Sequence, residues 1–335
     1  MKSILVTGCA GFIGYHSAAM MKRRGDFVVG IDSFSKGASF LLKKERQKLL
    51  EDLDIPIFPA DICDTQIVKK YIEKYKITHV LHLAAQAGVR ESFNNPDPYV
   101  HANLRGFVAI LEAIKERPDI RLVYASSSSV YGHNNTFPFS EEHPVENPAN
   151  LYAATKRCAE VLAASYHHLY KLSLCGLRYF TVYGPWGRPD MAYFHFAQSI
   201  LEEKPITLHA MGKMERDFTY IDDIVMGTLQ ALDQDSALTK RDEGSFSLYN
   251  LGSSRPVSVE YLVLLLEKSL NKKAMIQFQA HAKGETQKTY ANIAKAQSEL
   301  GYCPKVSFEE GILRFTNWMK AFKKQSIPTF SARDN

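Results

Sequence analysis

Short runs of consecutive apolar residues alternate, over the first half of the chain, with longer stretches whose apolar positions recur every three or four residues. The short runs are Ile4-Leu5-Val6, Val28 to Ile31, Ile57 to Ala60, His79 to Leu83, Leu122 to Ala125 and Leu174 to Tyr179. Runs of this kind read as strands covered on both faces. Helices are predicted after Gly14 to about Arg24, from Asp64 to about Lys74, from about Pro98 to Lys115 and from Leu151 to about Tyr170. Lys36 to Leu53 reads as one polar helix. Strands alternating with helices predict an α/β fold, a doubly wound parallel sheet of Rossmann type. Beyond Tyr183 the pattern is less regular and richer in Gly, Pro and Arg. A smaller C-terminal α/β domain is expected over 183–322 and a loose tail over 323–335. Short segments near 217–252 are expected to return to the first domain, residues 1–182. Ser258 begins an apolar helix to about Leu270, and Ser307-Phe308-Glu309-Glu310 has the spacing of a capping box opening the last helix.

With 335 residues the chain is long enough for two lobes around a large core. Its 45% hydrophobic and 23% charged residues are those of a soluble globular protein. A net charge of +5, without a dense Lys/Arg stripe, gives no reason to expect nucleic acid as partner. Lys43-Lys44-Glu45-Arg46 and Lys272-Lys273 read as solvated helix ends. The cysteines Cys9, Cys63, Cys158, Cys175 and Cys303 are scattered, with no C-x-x-C pair. Reduced thiols in a cytoplasmic protein are expected, with no disulfide framework. His79, His82, His167 and His168 lack a neighbouring ligand set, so no metal is expected. No apolar run is long enough to cross a bilayer. The run at Ile4-Leu5-Val6 stops at Thr7-Gly8, too early for a secretion signal.

Two patterns carry chemistry. Gly8, Gly11 and Gly14 follow the first strand and open the first helix, and Asp32 ends the second strand. This order fits a dinucleotide: glycines admit a pyrophosphate to the backbone, the helix N-terminus favours the anion, and the acid accepts ribose hydroxyls. Asp32 would repel a 2′-phosphate, which favours NAD over NADP. The spacing is G-x-x-G-x-x-G rather than G-x-G-x-x-G. The second pattern is Tyr152 and Lys156, four apart and so on one helical face. A tyrosine titrating near ~10 needs about 4 kcal/mol of differential stabilisation to reach about 7. A fixed cation in a water-poor cleft supplies an effect of that order, and Lys156 is expected to be that cation.

Thr7 to Gly14, Ser126 to Gly132, Tyr152 to Lys156, Arg178 to Arg188 and Arg216 to Asp223 together resemble the extended short-chain dehydrogenase/reductase family. Within it they resemble the nucleotide-sugar 4-epimerases, over roughly Ser3 to Phe322. Ala87-Gly88-Val89-Arg90 and the run Tyr183-Gly184-Pro185-Trp186-Gly187-Arg188-Pro189-Asp190-Met191-Ala192 resemble the versions found in UDP-glucuronate 4-epimerases. The resemblance implies NAD as cofactor, a UDP-hexuronic acid as substrate, a homodimer through the helices near Val100 to Lys115 and Leu151 to Tyr170, and a C4 epimerisation through a 4-keto intermediate. It implies Ser127, Tyr152 and Lys156 as catalytic residues. It adds Phe12, Ile13, Asp61, Ile62, Leu83, Ala84, Ala85 and Tyr179 to Gly8, Gly11, Gly14, Asp32, Tyr152 and Lys156 as cofactor contacts. Arg90 and Arg216 are implied to face the UDP pyrophosphate.

A uronic acid poses a further problem, because a 4-keto uronate is a β-keto acid prone to lose carbon dioxide. The loss is fastest with the carboxylate perpendicular to the carbonyl plane, so fixed donors must hold it in an unproductive torsion, and an arginine fork suits it best. Arg188 and Thr181 are the expected holders, with Ser128 or Ser129 assisting. Family dehydratases carry Asp-Glu where this chain has Ser128-Ser129, and the UDP-xylose-forming decarboxylases carry Glu at Ser129. Lys283-Gly284-Glu285 and Ala291-Asn292 replace the family's Pro-Gly-Asp and Ala-Asp, which bears on nucleotide preference. The competing expectations are a UDP-glucose/UDP-galactose 4-epimerase, another nucleotide-sugar-modifying enzyme such as a decarboxylase or dehydratase, and a catalytically idle NAD-binding regulator.

Overall fold

The structure, a computed structural model, describes residues 1–35, 39–89, 91–234, 244–279 and 286–324. Twelve strands occur among these residues: β1 (Ser3–Thr7), β2 (Phe27–Asp32), β3 (Ile57–Pro59), β4 (His79–His82), β5 (Arg121–Ser127), β6 (Ser173–Tyr179), β7 (Thr181–Tyr183), β8 (Pro205–His209), β9 (Glu215–Tyr220), β10 (Ser245–Leu251), β11 (Pro256–Ser258) and β12 (Met275–Gln279). Seven form one sheet in the order β10-β6-β5-β4-β1-β2-β3, every neighbouring pair parallel. The order reverses at β1, between β4 and β2. Open α/β sheets bind ligands at such a switch, beyond the carboxyl ends of the strands.

The strands are apolar throughout because each feeds two cores. Ile4 and Val6 join one cluster of buried side chains, and Leu5 between them joins the other. Val123 likewise faces opposite to Leu122 and Tyr124. Period-2 alternation splits every strand between the helical layers above and below the sheet. The helices Phe12–Arg23 and Ile221–Asp233 pack together in one of these layers. Strands β7, β9 and β11 form a small mixed sheet, and β8 pairs with β12.

Three boundaries differ from the sequence expectation, each for a tertiary reason. β5 runs past Ala125 because Ser126 and Ser127 continue the ladder opposite Arg178 and Tyr179 of β6. The expected single helix from Pro98 to Lys115 is a turn at Asp97–Tyr99, a π-helical stretch at Val100–Arg105 and an α-helix at Gly106–Ile114. The wide turn accommodates the buried Asn103, whose amide is spent on groups outside the helix. The last helix, Phe308–Lys324, extends through the expected start of the tail, and its Glu310 N donates to Ser307 Oγ at 3.2 Å. Residues 325–335 lie outside the described residues. The polar stretch near Lys36 to Leu53 contains the helix Phe40–Glu51.

Candidate active site

The glycine turn follows from lack of space. Gly8 adopts φ +67°, and a Cβ on it would lie 2.7 Å from the Ala84 amide nitrogen. A Cβ at Gly14 would lie 2.2 Å from the Gly8 carbonyl oxygen. Gly11 N donates to that same carbonyl at 2.9 Å and caps the helix Phe12–Arg23 without a side-chain acceptor. The first amides of that helix therefore present an electropositive end to an anion. Phe12 is buried and Ile13 partly so. Leu83 N donates to Thr7 O at 3.1 Å, and Ala84 N to Thr7 Oγ1 at 3.3 Å, which seats Leu83, Ala84 and Ala85 behind the turn.

Asp32 is buried at the end of β2 and accepts from Ala10 N at 3.2 Å and Phe34 N at 2.9 Å. Lys43 Nζ pairs with it at 3.0 Å. Lys43 is thus not a solvated helix end, because its neighbour in space is a buried carboxylate. Asp61 accepts from Cys63 N at 2.9 Å and pairs with His101 at 2.7 Å, while Ile62 is buried against Gly106. A tight glycine cradle, free helix-end amides and a buried acid at the second strand fit a dinucleotide with an unsubstituted ribose.

The helix Leu151–Tyr170 starts cleanly because Asn150 accepts from Ala153 N at 2.9 Å. Its first turns carry Tyr152 and Lys156 beside the end of β5, where Ser127 sits. Ser127 is buried, accepts from Ser129 N at 3.2 Å and donates to Ser129 Oγ at 3.2 Å. Burial pushes the Tyr152 phenol above its ordinary value, while a hydrogen bond with Ser127 and the Arg188 charge pull it down. Burial outweighs the opposing effects, and the charge acting against it is that of Arg188. Burial pushes the Lys156 ammonium down to about 8, and it donates to the Ala125 carbonyl at 2.9 Å. Tyr179, opposite Ser127 in the β5–β6 ladder, is buried with its hydroxyl 2.9 Å from Thr228 Oγ1.

Arg188 ends the loop after β7. It donates through Nε to Asp190 Oδ1 at 3.1 Å and through an Nη to Oδ2 at 2.5 Å. Burial works against its charge, but Asp190 more than offsets it, so the guanidinium is held above its ordinary value. The Asp190 fork uses the Nε edge and leaves the end-on edge, with the other Nη, for a further acceptor. Thr181 pairs with Phe218 across β7 and β9, and Ser128 and Ser129 are partly buried in the turn after β5. Arg216, on β9, donates to the carbonyls of Glu215 at 3.0 Å and Gln287 at 3.2 Å. Arg90 and Lys283-Gly284-Glu285 lie outside the described residues.

Several residues that support this site were not singled out from the sequence. Tyr99 packs edge-on against Tyr152, with centroids 6.4 Å apart, and donates to the Gly88 carbonyl at 2.5 Å. Asn103 bonds Gln86 and Thr155, tying the loop after β4 to the Tyr152 helix. Glu160, one turn beyond Lys156, accepts from Ser126 Oγ at 2.6 Å and takes Arg178 in a fork at 2.8 and 2.9 Å. Arg46 is buried as well, contrary to its reading as a solvated helix end. The Arg178 to Arg188 and Ser126 to Gly132 motifs contained part of this signal; for Asn103 and Arg46 only a polar residue at a core-facing helical position marked it.

Residues 5–315 match the family described as GDP-mannose 4,6 dehydratase. The chain is 48% identical over 333 residues to UDP-glucuronate 4-epimerase 2 of Arabidopsis thaliana, covering 96% of this chain and 77% of that one. It is similar to the crystal structure of UDP-glucuronic acid 4-epimerase from Bacillus cereus in complex with UDP-glucuronic acid and NAD. The TM-score is 0.86 at 36% identity, covering 96% of this chain and 99% of that one. The structure of a UDP-glucose 4-epimerase with UDP-glucose from Thermotoga maritima gives the same TM-score, 0.86, at 28% identity, again with 96% and 99% covered.

Proposed function

We propose, for a chain that belongs to the GDP-mannose 4,6 dehydratase family and to its UDP-sugar 4-epimerase branch, that it interconverts UDP-glucuronate and UDP-galacturonate by inverting C4. The observation that carries this reading is that Arg188 and Tyr99 meet at Gly88, where a Cβ would lie 3.6 Å from an Arg188 Nη and 3.5 Å from the Tyr99 hydroxyl, while Tyr99 packs edge-on against Tyr152. A carboxylate-binding cation near the acid/base supports a uronate substrate. Tyr152, as the phenolate, accepts the 4-hydroxyl proton, directly or through Ser127, and the phenol so formed returns it after the 4-keto sugar has turned over. Bound NAD supplies the acceptor that takes the C4 hydride and gives it back, so it is not consumed. The glycine turn, Asp32, Asp61, Ile62, Leu83 to Ala85, Lys156 and Tyr179 would hold it.

Arg188, with Thr181 and Ser128 or Ser129, keeps the bond from C5 to the uronate carboxylate away from the perpendicular to the C4 carbonyl plane. Released from that hold, the bond from C5 to the carboxylate breaks and its electron pair passes into the carbonyl as an enolate. Carbon dioxide leaves and C5 takes a proton. Ser128 and Ser129 offer neither the acid nor the base that dehydration across C5 and C6 requires. Arg216 and Arg90 serve the pyrophosphate, and residues 183–322 form the sugar-nucleotide domain.

The purified protein is expected to carry tightly bound NAD or NADH, detected by mass analysis of the supernatant after denaturation. Finding only NADP contradicts the assignment of Asp32. We also assign a cytoplasmic homodimer. Val100, Val161 and Leu169 are exposed on the helical segments expected to pair. Recovery from the cytosolic fraction as a particle of twice the chain mass, by light scattering, is the expected result; a monomer at micromolar concentration contradicts it.

A further inference from the structure

The guanidinium of Arg46 is 1% exposed, yet among the described residues no carboxylate forms an ion pair with it. It donates to the carbonyls of Ala10 at 2.8 Å, Trp186 at 2.6 Å and Gly187 at 3.1 Å. Its Nε has no partner among the described residues, and burial pushes the group down to about 10. A buried charge without a carboxylate in direct contact is costly, even with Asp32 acting on it from further off, and a well-packed apolar side chain often serves packing as well. Packing alone therefore does not account for an arginine here.

What the arginine joins is informative. Ala10 lies inside the glycine turn, between Gly8 and Gly14. Trp186 and Gly187 lie in the loop that ends at Arg188. That loop holds an unfavourable backbone. Trp186 sits at φ +60°, a region bulky residues avoid, and Gly187 leaves no room for a side chain because a Cβ would fall 1.7 Å from the Tyr193 hydroxyl. Such backbone persists only where its surroundings over-determine it. Here the carbonyls of Pro185, Trp186 and Gly187 are all engaged, the first by His16 Nε2 at 2.9 Å and the other two by Arg46. His16 is on the helix that the glycine turn opens.

We propose that Arg46 is a positioning residue for Arg188. It ties the loop carrying that guanidinium to the glycine turn, so that the carboxylate holder and the cofactor cradle keep one fixed geometry. The inference rests on Arg188 receiving the substrate carboxylate. A loosened loop lets the bond from C5 to the carboxylate swing perpendicular to the C4 carbonyl plane, the geometry that loses carbon dioxide, so loss of Arg46 changes the products as well as the rate. A lysine in its place has a single donor head and cannot span both carbonyl groups.

The test compares Arg46→Met, Arg46→Lys, Arg188→Ala and the Arg46→Met/Arg188→Ala double variant as NAD-loaded enzymes on UDP-glucuronate. Turnover and the ratio of pentose to epimer are read by liquid chromatography with mass detection. Arg46→Met and Arg46→Lys are expected to lower turnover by about tenfold or more and to raise the pentose fraction, with bound NAD retained. The double variant is expected to fall no further than Arg188→Ala, as for residues acting through one group. Losses that add, or an Arg46→Met enzyme with unchanged rate and products beside an impaired Arg188→Ala, overturn the role of Arg46 alone. An unimpaired Arg188→Ala overturns the carboxylate reading and this inference with it. If Arg46→Met does not fold, Arg46→Lys, which keeps the buried charge, decides the same question.

Discussion

Tyr152→Phe lowers turnover of UDP-glucuronate by at least about a hundredfold, the scale of a general acid/base, while substrate affinity changes little. The phenol is the group proposed to exchange a proton with the sugar, with Ser127 and the Arg188 charge both drawing it down against its burial. Phenylalanine keeps the ring, including its edge-on packing with Tyr99, so the fold is preserved and only the proton carrier is lost. Steady-state kinetics with bound NAD confirmed in both proteins is the check. Near-normal turnover in the variant would remove Tyr152 from the mechanism.

Arg188→Ala is the second large effect. It removes a charge-assisted contact to the substrate carboxylate and leaves that anion without its partner. The expected loss of transition-state stabilisation is roughly 2–4 kcal/mol, or about thirty- to a thousandfold in kcat/KM. Asp190 loses its partner too, but it is exposed enough for water to replace the guanidinium. The fold should therefore tolerate the change. The loss is expected to be larger for UDP-glucuronate than for UDP-glucose, with pentose appearing among the products. Equal losses on both sugars would make the Asp190 pair the whole purpose of Arg188 and favour a neutral-hexose epimerase.

What the sequence revealed of this molecule was what local chain chemistry dictates. The glycines at 8, 11 and 14 follow from a backbone that approaches itself closely, and that need is visible in three residues. The spacing of Tyr152 and Lys156 is a helical property, read without neighbours. The sign of the Tyr152 shift was not legible, because burial decides it against the pull of a cation 36 positions away. Arg46 was misread for a related reason. Lys43 to Arg46 looks like a charged helix surface until the loop at Trp186, 140 residues on, is packed over it. The π-helical stretch at Val100–Arg105 likewise depends on Asn103 reaching Gln86 and Thr155, contacts no periodicity encodes.

The most direct measurement is incubation of the purified protein with UDP-glucuronate, no NAD added, followed by separation of the sugar epimers. The expected result is a mixture of UDP-glucuronate and UDP-galacturonate, reached at the same ratio from either pure sugar. Unchanged UDP-glucuronate, or a reaction that consumes NAD in proportion to product, would contradict the account.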